Sequence, residues 1–385
     1  MSPGRAARNA VAVAFALNGF VFASLFSRVP DLRAGLALDN SGLGLLLLVG
    51  SMGSVLSLPA AGALVRRTSA ATVVNIGGVT VALAMPVAAV GAVHLGSLPV
   101  TALGLAGYGV GTGIWDVAMN VEGAAVEQQL GRAIMPRFHA GFSLGSVAGA
   151  GLAVALTAVD VPLALHYGFA AACCLAVLRA TRSFLPARPE SHGGSVAGAW
   201  LEPRTLAVGL MVLAFALTEG AANDWLALAL IDGHDAPRWL AVAGFALFVT
   251  AMTAGRMGGT ALLDRFGRVP VLRATALVAL TGLLLLVLGP HPAVVGLGVV
   301  LWGLGASLGF PVGMSAGADD PARAAARVSV VSTIGYVAFL AGPPVLGFVG
   351  DRVGTLESLL VVAVLLVPTV LLVPVAREPS PPTRR

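Results

Sequence analysis

Apolar residues in this sequence gather in long runs that do not alternate with polar ones. The runs cover about 9–28, 41–64, 72–93, 99–119, 138–159, 162–180, 205–230, 238–262, 270–289, 292–315, 328–350 and 355–375. Wound as an α-helix, ~20 apolar residues cross the hydrocarbon core of a bilayer. Backbone groups in lipid must be satisfied within a helix or a closed barrel, and barrel strands would alternate between lumen and lipid. The pattern predicts an all-α membrane protein of twelve transmembrane helices with short connections.

The polar interruptions divide the chain. The longest, 181–204, is rich in Pro, Gly and Ser and reads as a mobile linker between two halves, 1–180 and 205–385, of six helices each. With the N-terminus inside, every arginine falls on the cytoplasmic side except Arg28, Arg33, Arg238 and Arg352, which face out, and Arg256, which lies within a span. That asymmetry is the positive-inside rule, and it predicts that both termini are cytoplasmic. The halves echo each other. Phe15-Ala-Leu-Asn-Gly19 returns as Phe215-Ala-Leu-Thr-Glu-Gly220, and Arg66-Arg67 aligns with Asp264-Arg265 at a similar offset. Parallel six-helix repeats are an architecture of secondary transporters.

Composition narrows the function classes. Of 385 residues, 57% are hydrophobic and 11% charged, where a soluble domain carries about 25% charged. A mean hydropathy of +0.91 excludes a soluble fold and a disordered chain. The net charge of +5 comes entirely from scattered arginines, so no basic patch for nucleic acid forms. Cys173 and Cys174 are adjacent in an apolar run and offer neither a disulfide framework nor metal spacing. The first run has no clear cleavage site and reads as its own insertion signal. No GxxxxGK[ST] or HExxH motif occurs. ATP-driven transport, enzymatic activity, a metal and a cofactor are therefore not expected.

Arg256-Met-Gly-Gly-Thr-Ala-Leu-Leu-Asp-Arg-Phe-Gly-Arg268 resembles the loop signature G-x-L-x-D-R-x-G-R of the major facilitator superfamily. Leu262, Asp264, Arg265, Gly267 and Arg268 match, and Thr260 replaces the leading Gly. In the first-half copy Gly62 and Leu64 fit, but Arg66 stands in the Asp position. Asp116-Val-Ala-Met-Asn120, Arg132, Phe138 to Gly145, Glu219 to Trp225, Gly309 to Pro311, Gly335-Tyr336 and Gly342-Pro-Pro344 resemble a bacterial inner-membrane branch near the fucose–proton symporters. Tyr108 to Gly113 lacks the arginine that drug–proton antiporters carry in the fourth span. The resemblance implies a central cavity lined by spans 1, 4, 7 and 10.

Charged groups at bilayer depth cost at least ~2.5–3.5 kcal/mol, so each needs a reason. Asp116 and Asn120 share a face of span 4, and Glu219 and Asn223 share a face of span 7 beside Asp224. With Asn18 and Trp302 they form the candidate substrate and proton cavity. Asp116 is either a proton carrier or the ion-pair partner of Arg137 or another cytoplasmic-gate arginine, since it lies late in the predicted span. Glu219 either handles a proton or substrate hydroxyl, or packs as a neutral acid. Asp224 is either a ligand or a wetted residue of the outer mouth, and Trp225 fits an interfacial anchor. His139 is a proton relay or a helix-end hydrogen-bonder. Arg137, His139, Arg256, Asp264, Arg265 and Arg268 make up the expected cytoplasmic gate, with Asp264 pairing with Arg265, Arg268 or a helix end. Gly141, Gly145 and Gly149 form a small-residue stripe for close helix contact.

The expected function is secondary active transport of a small polar solute such as a sugar, coupled to protons, across a bacterial inner membrane. Proton-driven efflux of a drug or hydrophobic metabolite is the alternative. The expected partners are the solute, protons and the lipid bilayer, with a monomer as the working unit.

Overall fold

A computed structural model describes residues 3–131, 134–185, 197–320 and 323–378. Arg132, Arg188, Arg384, Arg385 and residues 186–196 of the predicted linker lie outside the described residues. The described chain is built from consecutive helical rods: α1 (Gly4–Leu36), α2 (Asn40–Arg67), α3 (Ala70–Val93), α4 (Leu98–Leu130), α5 (Met135–Ala158), α6 (Leu163–Ser183), α7 (Pro203–His234), α8 (Arg238–Phe266), α9 (Arg268–Leu288), α10 (Pro292–Gly317), α11 (Ala326–Val353) and α12 (Thr355–Ala376). Among the described residues eleven are long and apolar enough to cross a membrane. The remaining rod, α4, runs for 33 residues, and its apolar character is diluted by glycines and by Tyr108.

The packing pattern of the first six helices recurs in the last six. In the first set α1 packs on α5, α4 on α2 and α3, and α3 on α6. In the second, α7 packs on α11, α10 on α8 and α9, and α9 on α12. The two largest contacts between the sets, α2 with α11 and α5 with α8, are related by the same repeat. Glycine permits these approaches. A methyl at Gly145 would run into the Ala16 carbonyl, and one at Gly149 into the Phe20 carbonyl, which seats α5 directly on the α1 backbone. Gly44 of α2 has the same role against Pro343 and Pro344 of α11.

Two rods break where proline removes a donor. Pro30 leaves the Phe26 carbonyl without its helical partner. The first section of α1 ends at Phe26, and the chain restarts at Val29. In α10, Pro311 cannot serve the Ser307 carbonyl, and the helix breaks between Ala306 and Gly309. Both breaks matter for the sites below.

Helix lengths correct several sequence expectations. α4 continues to Leu130, well past the predicted end near 119, so Asp116 sits in the middle of its helix. α7 likewise continues to His234, which places Asp224 and Trp225 deep in the rod. Trp225 is fully buried, and Asp224 is 9% exposed. Neither lies on the protein surface.

Candidate functional site

Two polar groupings bridge the two sets, one around Asp116 and one around Glu219 and Arg256. On α4, Asp116 is half-buried, and Asn120 one turn later donates Nδ2 to the Asp116 carbonyl at 2.9 Å and to its Oδ1 at 3.4 Å. Tyr336 of α11 lies within electrostatic reach of Asp116 from the opposite set. On α7, Glu219 receives Nη2 of Arg256 from α8 at 2.9 Å. The Arg256 Nε donates to the Ser307 carbonyl at 3.3 Å, the acceptor that Pro311 left without a backbone partner. His139 of α5 lies within reach of the Arg256 charge and sits edge-on to Phe15, 5.2 Å between ring centroids.

The geometry explains why charge is tolerated at this depth. Glu219 and Arg256 neutralise each other while 18% and 27% exposed, so neither is stranded in lipid or sealed from water. Asp116 has only an amide for company, which leaves its carboxylate open to a proton or a ligand group. Asn18 and Asn223 are buried, and the Nδ2 of one and Oδ1 of the other have no protein partner. Such unspent hydrogen-bonding groups are what a polar solute would use.

Other predicted residues are placed differently. Arg137 is exposed, and no pair with Asp116 forms. Arg256, assigned from the sequence to the gate, is spent on Glu219 instead. Trp302 is fully enclosed, donating Nε1 to the Thr218 carbonyl at 3.1 Å and meeting Phe248 edge-on at 5.3 Å. It locks α10 to α7 and does not line a cavity. The expected pairing of Asp264 is also absent among the described residues. Arg268 goes to Asp319 at 2.7 Å and to Glu378 at 3.6 Å, while Arg265 stacks over Phe266 at 5.2 Å. Asp264 instead borders a cleft of about 540 Å³ with Arg268 and Ser315.

Sequence reasoning missed a polar seam at the face opposite the chain termini. Arg33 pairs with Asp232 across the two sets at 2.5 Å, and Asp232 also accepts from Thr355 at 2.6 Å. Asp351 of α11 accepts the Asn40 and Ser41 backbone amides, each at 2.9 Å, and the Ser41 hydroxyl. It thereby caps the first turn of α2 from the other set, a favourable place for a carboxylate. Arg238 reaches Asp31 at 3.2 Å. Among the described residues the hydrogen bonds and ion pairs that join the two sets gather at this face. Tyr336 could have been singled out from its motif, but the seam pairs residues hundreds of positions apart and leaves no local signal.

The family model of the Major Facilitator Superfamily matches residues 11–343. The chain belongs to that superfamily. It is 31% identical over 358 residues to an MFS-type transporter of Yersinia pestis, covering 91% of both chains. It is 26% identical over 363 residues to the membrane protein MosC of Rhizobium meliloti, covering 91% of this chain and 85% of that one. Among solved structures, the nucleoside transporter NupG superposes with a TM-score of 0.79 at 15% identity, covering 97% and 100% of the two chains. The Escherichia coli fucose:proton symporter FucP superposes at 0.65 with 16% identity, covering 96% and 98%. The protein is thus an MFS transporter, and these neighbours share its fold.

Proposed function

We propose that this transporter is a proton-coupled secondary carrier of a small polar solute, working by alternating access between its first and last six helices. All twelve rods cross the bacterial inner membrane in this reading, and both termini are cytoplasmic. The observation that carries it is a mid-helix acid, Asp116, whose carboxylate is held only by the Asn120 amide among the described residues and which faces Tyr336 of the other set. A coupled carrier needs a group whose proton affinity differs between its two open states. Asp116 meets that need, because rocking of the sets changes its distance from Tyr336 and its access to water. Glu219 is held by Arg256 and serves instead to keep charge balanced and to orient solute hydroxyls. The amide and carboxylate groups of Asn18, Asn120, Asn223 and Asp116 suit a hydroxylated molecule, in line with the nucleoside and fucose named for the neighbours NupG and FucP.

In this reading the seam lies on the periplasmic side and closes the carrier to the periplasm. Purified protein screened by thermal shift should identify a stabilising solute, since ligand binding to the folded state raises the melting temperature. In proteoliposomes that solute should accumulate when the proton gradient points in the same direction. Accumulation only under the opposite gradient would establish exchange and make the protein an exporter. Reporter tags at the two termini should both read cytoplasmic.

A further inference from the structure

A knot of polar groups lies at the break in α1, inside the first six helices and apart from the central site. Arg28 is 2% exposed and meets Asp31 with the Nε–Nη2 edge of its guanidinium, at 2.7 and 3.2 Å. Nη2 also donates to the Val161 carbonyl at 3.1 Å. Nη1 lies on the other side of the group, away from that carboxylate, and is buried without a protein partner. Four other side chains share this condition: the hydroxyls of Ser24, Ser27 and Thr157 and both ring nitrogens of His166 are buried and unpartnered.

Packing sets these groups at one level. Gly145 meets the Ala16 carbonyl and Gly149 the Phe20 carbonyl, a step of one turn on each helix. Two more turns bring Thr157 of α5 level with Arg28, and the Arg28 bond to Val161, one turn beyond Thr157, fixes the same alignment. On α1, Ser24 and Ser27 are three positions apart and share a face. His166 stands in the first turns of α6 beside Tyr167, whose hydroxyl donates to the Leu25 carbonyl at 2.9 Å and so holds that part of α6 against Ser24 and Ser27.

Buried polar atoms almost always find partners, so this many orphans at one level point to a ligand. The acceptors around them are spent. Both Asp31 oxygens serve Arg28, and Oδ1 also takes Arg238 from the other set at 3.2 Å; the Val161 and Leu25 carbonyls are occupied as well. What remains is donors: Nη1 can only donate, and each hydroxyl and the imidazole can turn a hydrogen the same way. Charge favours the same kind of ligand. Arg28 is sealed from water, and the one carboxylate that pairs with it is divided with a second guanidinium, whereas buried charges require full pairing.

We propose that these five side chains form an anion site, which holds one chloride ion against the Arg28 guanidinium and braces the two sections of α1 against α5 and α6. A monatomic ion suits groups this enclosed, because a phosphate or carboxylate would carry its own substituents into the helix packing. A cleft of about 450 Å³, lined by Pro30, the neighbour of Asp31, and by Arg238, its partner, gives the ion a route in from this face.

The probe is the halide itself, added to full-length protein in nanodiscs at constant ionic strength. Replacing gluconate by chloride or bromide should raise the melting temperature along a saturating curve, since an ion bound to the folded state stabilises it. Ser27→Ala with Thr157→Val removes two donors and leaves Arg28 and Asp31 in place, so the half-saturating halide concentration should rise at least tenfold. If that protein fails to fold, Ser24→Ala alone should raise it at least threefold. Equal melting in halide and gluconate overturns the site. Halide stabilisation that saturates at the wild-type concentration in the variants also overturns it, because the ion then binds elsewhere. Halide binding requires neither solute nor proton gradient, so a failure here leaves proton-coupled transport untouched.

Discussion

Asp351→Ala isolates the seam opposite the chain termini, because this carboxylate belongs to α11 yet caps α2. The substitution removes the acceptor of two backbone amides, Asn40 and Ser41, and of the Ser41 hydroxyl. All three contacts lie near solvent, so each exchanges for water on opening and contributes about 0.5–1 kcal/mol net. Asp39 continues to serve the Gly42 amide at 2.7 Å, so α2 keeps its own cap and does not unravel. The summed loss, about 1.5–3 kcal/mol, falls only on the closed state and should raise the ratio of open to closed by roughly 10- to 150-fold. Leu43, fully buried one turn into α2, becomes accessible when α2 and α11 part. In a cysteine-free background, Leu43→Cys should therefore react with a membrane-impermeant maleimide at least tenfold faster when Asp351→Ala is added. If the rate changes less than twofold in a variant that folds normally, the seam does not set the conformational balance.

Three further outcomes follow from local geometry. Glu202, just ahead of α7, is pulled down from its ordinary value of 4.5 to about 2, chiefly by the Arg327 hydrogen bond, then by Thr205 and Arg323. A carboxylate with a depressed folded-state value stabilises fully above about 4.5 and loses that contribution as pH falls toward 2; Glu202→Gln should flatten that segment of an acid-unfolding curve. Gly145→Val should destabilise by about 1–3 kcal/mol through overpacking against the Ala16 carbonyl, seen as a lower melting temperature and reduced yield. Trp302→Phe should cost about 1 kcal/mol by losing the bond to Thr218 while leaving solute affinity unchanged; a weakened affinity would return Trp302 to the cavity.

The sequence carried the fold because membrane helices announce themselves one at a time. Each apolar run satisfies its own backbone, so length and composition located the rods without tertiary information. Ends were read less well. Predicted spans stop where hydrophobicity stops, but α4 and α7 continue as helices through Glu122, Glu127 and Asp232, because packing supports them past the apolar run. That difference leaves Asp116 mid-helix and Asp224 and Trp225 buried within α7, where the sequence had placed them near span ends. Individual site residues were visible as intramembrane charges, but their partners were not. Arg256 looked like part of the loop signature that it opens, and only the fold reveals the free Ser307 carbonyl and Glu219 that claim it. The Asp264 motif was legible and its pairing was not, since Asp319 lies closer to Arg268 in space than any sequence neighbour suggests. Asp31, Arg28 and His166 escaped notice because each, taken alone, reads as a rim charge or a packed histidine.

Asp116→Asn tests the central claim most directly. The change keeps the shape and the contact with Asn120 while removing the group proposed to carry the proton. Proteoliposomes containing wild-type or variant protein should be loaded with the solute found by thermal shift and assayed both for accumulation driven by an imposed pH gradient and for counterflow without one. The account predicts that the variant loses uphill accumulation and retains counterflow, because rocking persists while its coupling to protons is gone. Accumulation against the gradient at neutral pH by Asp116→Asn, equal to the wild type, would contradict it.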